Sequence, residues 1–155
     1  MTEQFPDISD LIPHRDTMQL ISQVIADANE ELTAEVLIRP DHPFLVAGKG
    51  VPTYVALEMM AQSICAKDGL DQIRLEKPPA IGFLLGCQRF QTSREWLQVG
   101  ERLTAHVFCR LDAGELGSFD CELRGAEGDI IAKGSISVFR PHDVAQFLKE
   151  SEIET

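Results

Sequence analysis

Residues 52–67 read PTYVALEMMAQSICAK, and this stretch decides the fold. Its apolar side chains are spread around every face of a helix rather than along one stripe, which is typical of a buried helix. Pro52 suits the first turn, where a missing backbone N–H leaves no hydrogen bond unmade. The basic Lys67 followed by Gly69 predicts that the helix ends there. A single acid, Glu58, interrupts this apolar surface.

The segments on either side of this helix alternate apolar and polar residues, which is the pattern of half-buried strands. Two strands are predicted before the helix and about four after it, at 18–27, 31–39, 81–90, 103–111, 118–124 and 131–139. This order predicts an α+β domain in which an antiparallel sheet of about six strands wraps around one long central helix. We expect a single domain over residues 1–155, with an N-terminal arm at 1–16 and an acidic tail at 143–155.

Composition narrows the classes of function. The chain has 155 residues, 44% of them hydrophobic, and this is enough for one real core. A net charge of −11 argues against nucleic-acid binding, which depends on basic side chains. No apolar run is long enough to cross a membrane, and the first ten residues do not resemble a signal peptide, so we expect a cytoplasmic protein. The cysteines are far apart and without CxxC spacing, which favours buried thiols over disulfides or a zinc site: Cys65, Cys87, Cys109 and Cys121.

Three segments carry recognisable motifs. Residues 11–15 read LIPHR and lead into MQLI, residues 42–62 contain HPF, VP and EMMAQ, and residues 86–103 contain GCQRF and VGERL. These resemble the "LLPHR" arm, the "HFPG…PG….EAMAQ" loop and helix, and the "GIDxARF…PGDxL" stretch of the 3-hydroxyacyl-(acyl carrier protein) dehydratases. The helix entry, VPTY at residues 51–54, combines VP with an aromatic residue and is more similar to the dehydratase-like proteins encoded with aryl-polyene pigment synthesis.

The resemblance implies a hotdog fold and a hydro-lyase of fatty-acid or polyene synthesis. Its substrate would be a 3-hydroxyacyl thioester on acyl carrier protein or coenzyme A, its product the 2-enoyl thioester, and it would need no metal or organic cofactor. His42 would be the catalytic base and Glu58 the catalytic acid, contributed by different subunits of a dimer. That dimer would be a homodimer, part of a larger homo-oligomer, or a heterodimer with a related dehydratase. His42 and Glu58 are sixteen positions apart, a longer spacing than the family usually has, and Thr53 replaces its usual glycine.

These residue types suit the chemistry of dehydration. A neutral imidazole can accept the C2 proton, and a carboxyl group on a buried helix favours the protonated form that can release the C3 hydroxyl. The helix N-terminus can polarise the thioester carbonyl, and there the Thr53 amide is the expected donor because Pro52 has none. Gln62 lies one turn beyond Glu58 on the same face and is expected to support the carboxylate.

Two further expectations concern the neighbouring histidines. His14 is expected to have a structural role in orienting the arm. A cis peptide bond between His42 and Pro43 is a hypothesis, because such a bond costs little before proline and would turn the imidazole inward.

Two other functions fit the same residues. One is a hotdog thioesterase in which Glu58 activates water. The other is a non-catalytic subunit that partners a related dehydratase, which the longer loop and the missing glycine leave open.

Overall fold

The structure is a computed structural model that describes residues 4–77, 82–141 and 149–150. The helices named within these residues are α1 (Ile8–Leu11) and α2 (Ala56–Arg74), with 3-10 turns at Asp16–Met18 and Thr53–Val55. The strands are β1 (Gln23–Ala28), β2 (Glu31–Leu37), β3 (Val51–Pro52), β4 (Phe83–Thr92), β5 (Trp96–Leu97), β6 (Arg102–Ala113), β7 (Leu116–Arg124) and β8 (Ile130–Phe139). Six of them form one antiparallel sheet in the order β1-β2-β6-β7-β8-β4, and β3 pairs with β5 separately.

The core lies between α2 and one face of the large sheet. Alternate residues of β2, β6 and β7 point toward the helix and are almost completely buried: Leu32, Ala34, Val36, Leu103, Ala105, Val107, Phe119, Cys121 and Leu123. The helix contributes Met59, Met60 and Ile64 to the same cluster. The α+β class, the sheet of six strands and the long central helix are therefore confirmed.

The predicted end of the helix near Lys67 is wrong. Helix α2 continues through Gly69 to Arg74. The glycine has a packing role instead, since a Cβ atom at this position would lie 2.3 Å from the carbonyl oxygen of Leu11. Gly69 therefore allows the short helix α1 to pack closely against α2, and a basic residue followed by glycine was a misleading stop signal.

The predicted strands differ from the observed ones mainly at their ends. The first strand begins at Gln23 rather than Met18, which belongs to a 3-10 turn. The register between β4 and β8 shifts between Leu84 and Gly86. Ile81, the predicted first residue of β4, lies outside the described residues, as does the tail apart from residues 149–150. No helix in the described part of the chain is both long and apolar enough to span a membrane.

Candidate active site

The start of the central helix is held by the small sheet of β3 and β5. Pro52 pairs with Trp96 and Val51 with Leu97. Gly50, at φ +121°, allows this close approach, because a Cβ there would lie 2.3 Å from the carbonyl oxygen of Leu97. The strands thus bring the chain around residue 95 against the first turn of the helix.

This packing corrects the expectation for Thr53. Its backbone N–H donates a hydrogen bond of 3.0 Å to the carbonyl oxygen of Glu95 and is therefore not free to polarise a substrate. The Thr53 side chain is buried, and its Oγ1 has no hydrogen-bond partner among the described residues. Tyr54 provides the next amide, since the first turn of a helix leaves N–H groups without intrahelical acceptors.

Glu58 is held between two nitrogen atoms. The Gln62 Nε2 group donates to its Oε1 at 3.2 Å, and the His14 Nε2 atom lies 3.4 Å from the same oxygen. The Glu58 side chain is 39% exposed, so the carboxylate is only partly withdrawn from solvent. Glu58 therefore has polar partners on an otherwise buried helix, and part of its side chain remains accessible to a ligand.

Gln62 is fully buried and connects the helix to the N-terminal segment. Its Oε1 accepts a 2.9 Å hydrogen bond from the Leu20 N–H, and its Nε2 donates to the Met18 carbonyl at 2.8 Å as well as to Glu58. Because the Leu20 N–H requires an acceptor, it determines which end of the amide is oxygen. The NH₂ end must then face Met18 and Glu58.

A pocket of about 130 Å³ borders Glu58, His14 and Gln62 and extends along α2 to Cys65 and Asp68. Burial raises the pKa of the Cys65 thiol to about 11, so this cysteine is not a thiolate nucleophile at neutral pH. Burial also raises the pKa of Asp68 to about 6 and outweighs the opposing effect of Arg140. Arg140 Nη1 lies 3.0 Å from the Asp68 Oδ1.

His42 lies in the loop between β2 and β3 and is 8% exposed. The loop is held by backbone hydrogen bonds from His42 N–H to the Arg39 carbonyl and from Leu45 N–H to the His42 carbonyl, both 3.1 Å. Burial lowers the pKa of His42 below the usual 6.5, and Arg39 lowers it further while Asp41 opposes the change. The ring is therefore neutral at pH 7.

The hydrogen bonding of His42 has a chemical consequence. The Phe44 N–H donates to Nδ1 at 3.1 Å, so in the neutral ring the proton is on Nε2. The Nε2 atom is buried and has no partner among the described residues. In this state His42 presents a hydrogen-bond donor rather than a free lone pair.

The structure brings Glu58, Gln62 and His14 together within one chain. His42 is not among the residues that border the Glu58 pocket in the described part of the protein. The His42–Pro43 peptide is trans, so the hypothesis of a cis bond is wrong. His14 contacts the candidate acid, a role that sequence reasoning missed because His14 and Glu58 are 44 positions apart and no local spacing links them.

Comparison with solved structures establishes the fold. The dehydratase heterocomplex ApeI:P from Xenorhabdus doucetiae is similar over 94% of this chain and 97% of its own, with a TM-score of 0.87 and 23% identity. A hypothetical thioesterase with coenzyme A from Streptococcus pneumoniae is similar over 77% of this chain and 84% of its own (TM-score 0.59, 14% identity). The TT0310 protein from Thermus thermophilus aligns over 83% of this chain and 100% of its own (TM-score 0.60, 18% identity). The protein has the hotdog fold.

No curated protein sequence matches this one significantly. The sequence model of the ApeP-like family, described as ApeP dehydratase, matches residues 6–149 and thus spans most of the arm, the central helix and the strands described above. The chain belongs to the ApeP-like dehydratase family.

Proposed function

We propose that this protein dehydrates 3-hydroxyacyl thioesters carried by acyl carrier protein to 2-enoyl thioesters, in fatty-acid or polyene synthesis. The observation that carries the proposal is the Glu58 carboxylate, which lies in a pocket on the central helix with Gln62 and His14 on one of its oxygens. Membership of a dehydratase family supports the reaction type.

In the proposed reaction His42 removes the proton from C2, and Glu58 protonates the departing C3 hydroxyl. The C3–O bond breaks, water leaves, and the C–H electron pair forms the C2=C3 double bond. In the resting structure His42 carries its proton on Nε2, and its Nδ1 accepts a hydrogen bond from the Phe44 amide. To act as the base, the ring must present an unprotonated nitrogen to the substrate, so the Phe44 amide must release Nδ1. We assign this change to substrate binding. The Tyr54 amide replaces Thr53 as the proposed donor to the thioester carbonyl.

The size of the pocket supports a site shared between subunits. A volume of about 130 Å³ is small beside the roughly 300–1,000 Å³ of ordinary ligand pockets. Strand β4 ends the large sheet, and its Leu84 and Leu85 side chains are 47% and 58% exposed. A terminal strand with exposed apolar residues is suited to pair with a second subunit. We propose that this partner completes the pocket and brings its own histidine to Glu58.

A second candidate is a subunit of a mixed dehydratase complex. Two observations favour it, since the Thr53 amide is taken by Glu95 and the His42 Nδ1 by Phe44. The similar ApeI:P structure is itself a dehydratase heterocomplex. In this arrangement the chain supplies Glu58 to a site whose histidine belongs to the related subunit.

Purified protein incubated with 3-hydroxyacyl thioesters of acyl carrier protein tests the proposal. We expect 2-enoyl product, measured by mass spectrometry, and a loss of at least about 100-fold in rate for Glu58→Gln, as for a missing general acid. Glu127→Gln, in the exposed turn between β7 and β8, is the matched control and should behave as wild type.

Other outcomes decide between the alternatives. Release of free thiol without enoyl product would identify a thioesterase and refute the dehydratase. A protein that is inactive alone but active with a related dehydratase, and then sensitive to Glu58→Gln, would identify the subunit of a mixed complex.

A further inference from the structure

His14 and Gln62 contact the same oxygen of Glu58. The Gln62 Nε2 is 3.2 Å from Oε1 and the His14 Nε2 is 3.4 Å from it. The second distance is longer than a normal hydrogen bond, so in this structure His14 contacts Oε1 without donating a hydrogen bond to it. The two carboxylate oxygens are therefore in different environments, with the nitrogen contacts on Oε1.

The His14 ring is held in place by its surroundings. The Arg15 Nη1 donates to the Ile12 carbonyl at 2.7 Å and to the His14 carbonyl at 2.8 Å, which fixes the backbone of the arm. Ile12 is buried in the core. The His14 Nε2 atom faces Glu58, whereas Nδ1 is buried without a partner in the part of the chain that the structure describes.

We infer that His14 is a positioning residue for the proposed dehydration, which together with Gln62 reserves Glu58 Oε2 as the oxygen that meets the substrate hydroxyl. An oxygen that accepts from Gln62, and from His14 once the His14 and Glu58 side chains close on each other, does not also carry the acidic proton toward a substrate. The proton of the acid form is then on Oε2. This inference rests on the proposed function and adds the residue that orients its acid.

Two variants separate hydrogen bonding from packing. His14→Gln keeps an N–H donor that can reach Glu58, whereas His14→Leu keeps a side chain of similar bulk without a donor. We expect kcat to fall at least about tenfold in His14→Leu, the change that corresponds to losing one hydrogen bond to a charged group, and His14→Gln to retain at least about a third of the activity. His106→Gln is the control, because His106 contacts Thr33 and Thr104 instead of Glu58.

Thermal unfolding is measured on each variant so that a kcat is compared only between folded proteins. Equal activity of folded His14→Leu and His14→Gln would overturn the inference, since packing alone would then explain the position. The inference would also be overturned if both variants lost activity, because the N–H donor of His14→Gln would then not have restored it.

A second readout does not depend on catalysis. In ¹H–¹⁵N correlation spectra of the histidine rings, the His14 Nε2 signal is assigned as the one that is missing from the spectrum of His14→Gln. Its chemical shift should change in Glu58→Gln and remain unchanged in Glu127→Gln. An unmoved signal would refute the contact whatever the activity. If the wild type makes no enoyl product alone or with a related subunit, the proposed function fails, and these spectra alone decide whether His14 engages Glu58.

Discussion

Replacing Gln62 with leucine removes three hydrogen bonds from a fully buried side chain of nearly the same size. The Leu20 N–H loses its acceptor in a buried position, which costs about 1–3 kcal/mol. The Met18 carbonyl is only part-buried and can turn to water, so its loss adds about 1 kcal/mol. We therefore expect the free energy of unfolding to fall by about 2–4 kcal/mol, which a domain of ordinary stability survives.

The same variant releases Glu58 Oε1 from one of its two nitrogen contacts. We therefore expect a second effect besides the loss of stability. The kcat for dehydration should fall about tenfold, which corresponds to one missing hydrogen bond to a charged group. The assay is urea unfolding followed by circular dichroism, together with initial rates of enoyl formation below the unfolding transition.

Gln98→Leu is the matched control for this prediction. The Gln98 Nε2 also donates to a backbone carbonyl, that of Lys49 at 3.1 Å, but the bond is exposed. Its loss should change the free energy of unfolding by no more than about 0.5 kcal/mol. If Gln62→Leu were as stable as Gln98→Leu, the view that this amide joins the N-terminal segment to the helix would be refuted.

Three further predictions concern ionisable groups. Lys67, 4% exposed, lies 2.9 Å from the buried Asp27 carboxylate, which Arg74 also contacts. Lys67→Met should therefore lower the free energy of unfolding in urea by about 2 kcal/mol, as for a lost hydrogen bond to a charged group, and a loss under about 0.5 kcal/mol would contradict this. The pKa of Asp68 is raised from 3.8 to about 6, so its contribution to stability is present below pH 3.8 and lost as the pH rises through 6. The difference in unfolding free energy between wild type and Asp68→Asn should change by about 3 kcal/mol between pH 3 and pH 7, and a constant difference would exclude this effect. Because the pKa of His42 is lowered, kcat/KM should decline on the acid side only below pH 6.5. Arg39→Gln removes a charge that lowers this pKa and should therefore move the acid limb of kcat/KM to higher pH. A limb that did not move would argue against His42 as the base.

Local patterns were sufficient to predict the secondary structure that surrounds the site. The position of Glu58 on α2 and the strands β2, β6, β7 and β8 follow from residue periodicity, which is a property of neighbours in the chain. The helix start expected at Pro52 was wrong, because Pro52 belongs to β3 and a 3-10 turn at Thr53–Val55 precedes α2. Gln62 could be placed beside Glu58 for the same reason, since residues four apart share a helix face.

Contacts between distant segments were decided only by the tertiary structure. Gly69 looked like a helix stop because its packing partner, Leu11, is 58 positions away. The Thr53 amide looked free because the strand pairing that brings the Glu95 carbonyl to it joins two separate parts of the chain. His14 reaches Glu58 in the same way. The sequence by itself determined that an acid lies on a buried helix. Only the folded chain decided which groups surround that acid, because hydrogen-bond partners are selected by distance in space.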